Sequence, residues 1–459
     1  MVGGNTSKWT AMRIVVDTYN LSKKGGTGVA SYARGFTNVA RRQGHEVALL
    51  TSEILKSRGN ALMENVALAD SERSSGGLIR RKMGKIWGSM RALAGNPVHP
   101  FTPVGEVHGG VDRLPEADLI WNSPDIFRRA IGAYRTTGRT TKIDIPGADL
   151  VHWTYPLPIS ARNAANVYTI HDLVPLKIPE ATLDDKDRYY RLCKRIVDQA
   201  DHILTVSEAS RSDIVNMLNA DPAKVSNTYQ ACDVEPELLS RSLEEEAGYV
   251  KGVFDLDWKS YFLFFGAIEP KKNIGRIIEA YLASRVAAPL VIVGAPGWKS
   301  EDEMRLLDSL RHTPMAKQIL QVEYLPRSTL VSLIRGAKSV LFPSLYEGFG
   351  LPVLEAMSLG TAVITSTAGS LPEVGGDAAP AVDPYDTTAL MRAIQQMDGD
   401  QEFRLQCEAR GRVQARLFSA EAYGARLSEV FRQFGTMSVQ APWSNMTNAV
   451  NGEQQEYQR

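Results

Sequence analysis

The sequence predicts an α/β protein made of two successive domains, each a mostly parallel β-sheet covered by helices. Three observations predict it. The 459 residues suffice for two or three domains. Short apolar runs rich in β-branched residues alternate with stretches of helical periodicity, as in repeated strand–helix–strand units. Several of these runs are apolar at almost every position, which is typical of strands buried on both faces.

The first domain begins with a strand over residues 12–18, a glycine loop over 25–28 and a helix over 29–40. Further strands are predicted at 149–153, 167–170 and 203–206. A helix that opens at Ser207 follows the last of these strands.

The second domain is expected after the charged stretch 241–246, with the boundary near residue 245. Its predicted strands are 261–267, 290–293, 340–343 and 362–365. Its predicted helices are 274–283, 328–335 and 389–397, and a last helix at 420–434 closes the fold. The tail 435–459 is polar, rich in Asn and Gln and without apolar periodicity, so we expect it to be disordered.

Composition excludes several classes of protein. The 44% hydrophobic and 23% charged residues match soluble globular chains. The 52 Lys and Arg balance 52 Asp and Glu, which argues against a surface built to hold nucleic acid. Cys193, Cys232 and Cys407 are too far apart for a disulfide framework or a zinc spacing, which fits a reducing compartment. Because no signal peptide or 18-residue apolar span is visible, we expect a cytoplasmic protein.

One basic segment departs from the strand–helix rhythm. From Ile79 to Leu93, apolar side chains fall on one helical face, and basic side chains crowd the region with little acid nearby. Such a helix can lie in a membrane interface with its cations toward anionic lipid. The alternative is a surface helix packed on its own domain, and Gly84 and Gly88 weaken the helix prediction. Both interpretations stay open.

The densest motif is the stretch 342–357, FPSLYEGFGLPVLEAM, which directly follows a predicted strand. Gly348 and Gly350 let the backbone approach a ligand closely, and Pro352 suits the first turn of a helix whose free N–H groups favour an anion such as a diphosphate. Glu347 and Glu355 flank this anion site, where carboxylates suit sugar and ribose hydroxyls. A helix-start carboxylate is also a common partner of the helix dipole.

This segment resembles the Glu-x7-Glu motif of the retaining glycosyltransferases of family 4. Three further segments agree in order: residues 266–273, residues 167–173 with 205–208, and residues 369–373. The resemblance implies a GT-B fold, in which two Rossmann-like domains face each other across a cleft. It implies an acceptor-binding domain over 1–245 with a variable insert at about 51–150, a nucleotide-sugar-binding domain over 246–419, and a helix over 420–434 that crosses back to the first domain.

The resemblance also assigns roles to residues. Lys272 would hold the donor diphosphate and offset the charge that grows on the leaving group, so that neither a metal nor another cofactor is needed. Many relatives carry an Arg a few residues earlier, where this chain has Ala267, Ile268 and Glu269; Lys271 is a weaker substitute because Lys lacks the bidentate fork.

His171 matches the active-site histidine of the family, and Asp172 would contact the acceptor. Glu347 would lie beside the donor sugar and Glu355 would accept from the ribose, while Glu373 is as readily structural. The candidate catalytic residues are Glu347, His171 and Lys272. The candidate donor-binding residues are Gly26, Gly28, Lys271, Lys272, Glu347, Gly348, Phe349, Gly350, Leu351 and Glu355.

The expected activity is transfer of a hexose with retention of configuration, with mannose from GDP-mannose favoured and a glycan, often lipid-linked, as acceptor in cell-surface polysaccharide assembly. UDP-glucose, another UDP-hexose, or a dTDP- or GDP-deoxysugar stays open as the donor, because base and sugar selection depend on side-chain geometry. A nucleotide-sugar epimerase is a competing enzyme, and a non-catalytic nucleotide-sugar or glycan-binding protein is the alternative of another class. A lipid-linked acceptor would bring the protein to the inner face of the cytoplasmic membrane.

Overall fold

A computed structural model of the chain describes most of residues 11–434. The described residues are 11–21, 28–53, 99–101, 114–232, 234, 236–297, 299–310, 313 and 318–434. The basic segment from Ile79 to Leu93, the tail 435–459 and Gly26 lie outside them.

The described strands belong to two large sheets and one small pair. In chain order they are β1 Arg13–Asp17, β2 Glu46–Thr51, β3 His99–Phe101, β4 Leu119–Asn122, β5 Thr141–Ile143, β6 Leu150–Trp153, β7 Ile159–Ala161, β8 Ala165–Thr169, β9 His202–Thr205, β10 Val225–Asn227, β11 Phe262–Phe265, β12 Leu290–Val293, β13 Ile319–Val322, β14 Ser339–Phe342, β15 Ala362–Ser366 and β16 Ala381–Val382.

The first large sheet has the order β10-β9-β8-β6-β1-β2-β4-β3, and its described strands are parallel except for the β3–β4 pair. The second has the order β13-β12-β11-β14-β15-β16 and is parallel throughout its described strands. Strands β5 and β7 form a separate parallel pair. Both large sheets are of the Rossmann-like type, in which ligands bind where the carboxyl ends of parallel strands meet.

Helices cover the faces of these sheets. They are α1 Gly28–Arg42, α2 Ile126–Thr137, α3 Val174–Lys177, α4 Lys186–Gln199, α5 Glu208–Leu218, α6 Leu243–Phe254, α7 Ile274–Ser284, α8 Ser300–Leu310, α9 Arg327–Gly336, α10 Leu351–Ser358, α11 Leu371–Gly375, α12 Thr387–Gly399, α13 Gln401–Ala415 and α14 Ala420–Phe431. Strands β11 and β12 are apolar and buried at every position because helices lie on both sides of their sheet. The sequence prediction of two α/β units is confirmed.

The expected domain boundary near residue 245 falls two residues after the start of a helix. Residue 245 lies inside α6, not in a linker, because the glutamates taken as a charged linker form the first turn of that helix. Ser242 and Glu245 cap each other there in a capping box. Helix α6 packs against α9 of the second domain, with the Tyr249 hydroxyl 2.8 Å from that of Thr329.

The extent of the insert expected over 51–150 is wrong. That interval includes β4, α2 and β5, and β4 pairs with β2 as part of the first sheet. Strand β4 covers only residues 119–122, a run too short to show a clear period.

The last helix, α14, packs on α1 of the first domain. The Phe431 ring meets the Phe36 ring edge-on at 6.0 Å, and Gln43 donates a hydrogen bond to the Gly424 carbonyl at 2.6 Å. The chain thus returns from the second sheet to the first. None of the described helices is both long enough and apolar enough to cross a bilayer.

Candidate active site

The two lysines and Glu347 come together beside the end of β14. Lys272 Nζ lies 2.5 Å from Glu347 Oε1, and Lys271 Nζ lies 3.5 Å from Glu347 Oε2. All three side chains are largely buried, with 12%, 22% and 9% of the side-chain surface exposed for Lys272, Lys271 and Glu347. The Lys272 ammonium also lies 4.7 Å from the centre of the Phe342 ring.

Local backbone geometry explains how the lysines reach this position. Pro270–Lys272 forms one 3₁₀ turn, and Asn273 ends it in the left-handed conformation with φ of 63°. The buried Asn273 side chain then donates to the carbonyls of Pro343 and Pro384, at 3.0 and 2.7 Å. The Leu345 N–H donates to the Lys271 carbonyl at 2.8 Å, so the lysine loop and the Glu347 loop are held together.

A close backbone approach at the neighbouring strand end supports the same loop. A Cβ atom on Gly294 would lie 1.9 Å from the Gly266 carbonyl oxygen, nearer than any side chain permits. Glycine at position 294 therefore lets the loop after β12 lie against the loop that begins at Gly266.

The lysines and Glu347 stabilise one another's charged forms. Burial alone would raise the pKa of the Glu347 carboxyl, but the attraction of Lys271 and Lys272 together outweighs burial and the net shift is downward. The Glu347 carboxylate raises the pKa of Lys271 in return. Burial lowers the pKa of Lys272, against the opposing attraction of Glu347. Glu269 also lies 3.5 Å from Lys271 Nζ, so the two ammonium groups are paired with two carboxylates in this structure.

The start of α10 supplies backbone donors beside this charge. Gly350 precedes the helix with φ of 111°, a conformation that favours glycine. The N–H groups of Phe349, Gly350 and Leu351 have no hydrogen-bond partner within the part of the chain that the structure describes. Pro352 follows in the first turn, where a missing N–H costs nothing. The glycine loop, the helix start and the lysines thus bring together N–H donors and ammonium groups, which are the groups that anions favour.

Glu355 lies one turn further along α10 and forms an ion pair with Arg327, the first residue of α9. Its side chain is 12% exposed, whereas that of Arg327 is 44% exposed. The sequence reasoning missed Arg327, whose only signal was its place just after a strand end of a parallel sheet.

His171 follows β8 in the first domain. Its Nε2 lies 2.9 Å from the Thr154 carbonyl oxygen and donates to it, which leaves Nδ1 as the unprotonated nitrogen of the neutral ring. Burial lowers the pKa of His171, so the neutral ring is favoured. The Tyr32 ring packs edge-on against the imidazole at 4.9 Å, a contact that the sequence reasoning also missed because Tyr32 lies 139 residues earlier in the chain.

The two domains meet at Gly348. A Cβ atom there would lie 2.7 Å from Asp172 Oδ2 and 3.0 Å from the His171 carbonyl oxygen. The Ser210 hydroxyl of α5 lies 2.8 Å from that same carbonyl oxygen and 3.3 Å from the Gly348 carbonyl oxygen. The structure therefore places Glu347 of the second domain beside His171 and Asp172 of the first. Gly28 comes close as well, since a Cβ atom on it would lie 3.3 Å from the Leu351 side chain.

Glu373 makes a second contact between the domains. Its carboxylate accepts from the N–H groups of Glu208 and Ala209 at 2.8 and 2.6 Å, and so caps the first turn of α5. Burial raises the pKa of this carboxyl, against these hydrogen bonds. Tyr346 donates a hydrogen bond to Asp213 on the same helix. These hydrogen bonds give Glu373 a structural role, because they join the second domain to a helix of the first.

Two glycosyltransferase family models match the chain, one over each domain. The family model described as "Glycosyltransferase Family 4" matches residues 26–235, and the one described as "Glycosyl transferases group 1" matches residues 255–414. The chain is similar to sucrose-phosphate synthase from Thermosynechococcus elongatus, with a TM-score of 0.63 and 16% identity over 93% of this chain and all of that one. In the GT-B class of glycosyltransferase folds, two Rossmann-like domains face each other across a cleft. The carboxyl ends of their parallel strands point toward that cleft, and this chain has the same fold.

The relatives of the chain by sequence include mannosyltransferases. O-antigen chain mannosyltransferase B of Escherichia coli is 37% identical over 260 residues, which is 56% of this chain and 67% of that protein. The serotype-specific mannosyltransferase WbdA of Escherichia coli is 29% identical over 273 residues, but the match spans only 33% of its length. The chain belongs to the glycosyltransferases of family 4.

Proposed function

We propose that this enzyme transfers mannose from GDP-mannose to a hydroxyl of a lipid-linked glycan, with retention of the anomeric configuration, during assembly of a cell-surface polysaccharide. The observation that carries the proposal is the 37% identity to an O-antigen chain mannosyltransferase, of which the chain covers two thirds. A lipid-linked acceptor places the enzyme at the inner face of the cytoplasmic membrane.

Lys272 and Lys271 bind the donor diphosphate in this proposal. Without donor, Glu347 is a counter-ion of both, at 2.5 and 3.5 Å, and Glu269 lies 3.5 Å from Lys271 as well. A diphosphate carries more negative charge than one carboxylate, so it draws the ammonium groups toward itself and frees Glu347 for the hydroxyls of the sugar. The N–H groups at the start of α10 add hydrogen bonds to the same oxygens.

Positive charge at this position lowers the barrier to bond cleavage. As the bond between the sugar and the diphosphate breaks, negative charge grows on the phosphate oxygens that Lys272 contacts. Fixed charges in a site that excludes water stabilise such charge more strongly than solvent does. We propose that the two lysines perform this task and that the reaction needs no divalent metal.

His171, Asp172 and Gly348 enclose the sugar end of the donor. The neutral imidazole has Nδ1 available as a hydrogen-bond acceptor, because Nε2–H is held by the Thr154 carbonyl. Asp172 lies next to Gly348 across the cleft, where its carboxylate can accept from an acceptor hydroxyl. Glu355 accepts from the ribose hydroxyls, and Arg327 fixes the orientation of its carboxylate.

The test is a thermal-shift panel of GDP-mannose, UDP-glucose, UDP-N-acetylglucosamine and dTDP-rhamnose, followed by product analysis with the responding donor. A ligand that binds only the folded state raises its melting temperature. We expect a shift with GDP-mannose and a loss of the shift in Lys272→Ala. Turnover of Lys272→Ala should fall about 10²–10³-fold, the usual cost of removing one preorganised charge-stabilising group.

Lys251→Ala is the matched control, because Lys251 lies on α6 of the same domain with 51% of its side chain exposed. It should behave as wild type. Transfer from a UDP-sugar with no response to GDP-mannose would contradict the donor assignment. Donor binding without transfer to any mannose-accepting glycan would favour a non-catalytic binding protein.

A further inference from the structure

A basic groove runs over the surface of the first domain, between the end of α2 and the outer face of α4. Its volume is about 570 Å³. Five cationic side chains line it, against the single carboxylate of Asp198. The cations are Arg135, Arg188, Arg191, Lys194 and Arg195. No residue of the candidate active site contributes to this lining.

Local ion pairs neutralise the groove only in part. Arg188, Arg191 and Lys194 pair with aspartates three or four residues away, on α4 or at its N-cap, with N–O distances between 2.6 and 2.9 Å. Such exposed pairs contribute little and are easily exchanged for a stronger anion. Arg135 and Arg195 have no carboxylate partner among the described residues. The groove keeps net positive charge after the paired carboxylates are counted.

An exposed aromatic side chain lines the groove, and an exposed leucine lies three residues before α4 in the chain. Tyr190, which lines the groove, is 41% exposed, and Leu183, just before α4, is 73% exposed. Cations with long aliphatic stems, together with an exposed tyrosine and leucine, match the chemistry of a bilayer surface, where phosphates are anionic and the layer beneath is apolar. Guanidinium groups bind phosphate in a bidentate way that ammonium groups cannot.

We propose that this groove binds the phosphate groups of an anionic lipid surface and holds the first domain against the membrane. Its biological purpose rests on the proposed lipid-linked acceptor, but its binding does not depend on the donor. Each cation near an anionic bilayer strengthens binding about fivefold. The basic segment from Ile79 to Leu93 is a separate candidate outside the described residues.

The experiment measures co-sedimentation of the full chain with phosphatidylglycerol-containing vesicles and with pure phosphatidylcholine vesicles, without donor or acceptor. The test variant is Arg135→Gln/Arg191→Gln/Arg195→Gln. We expect its affinity for the anionic vesicles to fall about a hundredfold. Wild-type binding should weaken with added salt and be much lower on neutral vesicles.

The control, Arg305→Gln/Arg392→Gln/Arg410→Gln, removes the same formal charge from exposed helices of the second domain. It should bind anionic vesicles like wild type, and both triple variants should transfer sugar normally to a water-soluble acceptor. If both triple variants lost affinity for anionic vesicles equally, the assignment would be overturned. It would also be overturned if only Arg80→Glu/Arg81→Glu/Lys82→Glu, a variant of the separate basic segment, lost that affinity. Saturation by inorganic pyrophosphate with no added affinity for vesicles would show that the groove takes a free phosphate compound instead.

Normal sugar transfer with no vesicle binding would leave the proposed function intact and reject the lipid surface alone. Vesicle binding with no transfer from any donor would reject the proposed function alone.

Discussion

Buried His152 makes the stability of the first domain depend on pH. It lies on β6 with no exposed surface, and its ring stacks on Phe36 at 3.9 Å. Its Nε2 lies 3.4 Å from the hydroxyls of Tyr32 and Thr169, and within the described residues Nδ1 has no partner. Burial, helped by the nearby His171 imidazole, lowers the pKa of His152 to about 3.

The size of the effect follows from the two pKa values. In the unfolded chain a histidine titrates near 6.5. Between about pH 6.5 and pH 3 the unfolded chain binds a proton at this position that the folded chain does not bind, so the free energy of unfolding falls as pH falls. At pH 5 the loss is about 2 kcal/mol relative to pH 7, and the slope approaches about 1.4 kcal/mol per pH unit.

The assay is urea denaturation at pH 7, 6 and 5, with His152→Phe compared to wild type. The variant keeps the aromatic stack but cannot titrate, so the difference in free energy of unfolding between pH 7 and pH 5 should be smaller by about 2 kcal/mol. Phe36→Leu loosens the stack and keeps the imidazole, so it should retain most of the wild-type pH dependence. A pH dependence of His152→Phe equal to that of wild type would refute the reasoning.

Three further predictions concern the site and its supports. In Gly294→Ala the added Cβ would clash with the Gly266 carbonyl oxygen, so the lysine loop must move. We expect a lower donor affinity, measured by calorimetric titration, and a free energy of unfolding lower by several kcal/mol, measured by denaturation. Tyr423 of α14 packs edge-on against Tyr32 at 6.3 Å, and Tyr32 packs against His171, so we expect α14 to hold the active-site histidine in place through Tyr32. Tyr423→Ala should therefore lower kcat while leaving donor affinity unchanged, and a kcat equal to that of wild type would contradict this role of α14. The purified enzyme should keep its full activity in EDTA. If EDTA abolished the activity and added Mg²⁺ or Mn²⁺ restored it, the assignment of charge stabilisation to the lysines would be contradicted.

The sequence by itself determined the α/β class, four of the eight described strands of the first sheet, four of the six of the second, and the membership of family 4. Strand β12 is apolar at each of its four positions, and such a run needs a sheet covered on both faces whatever surrounds it. The motif around Glu347 likewise placed a glycine turn before a helix start, because only backbone constraints local to the sequence are involved.

Only the tertiary structure decided which side chains meet. Glu347 pairs with a lysine 75 residues earlier, and Glu373 caps a helix that begins 165 residues before it. The charged run 241–246 is the start of a helix instead of a linker, and the extent of the insert was wrong, for a related reason: the structure of a charged run or a short strand depends on what it packs against. Periodicity records which face of an element is buried, but the partner on that face depends on how two separately folded sheets are oriented, and no local pattern encodes that orientation.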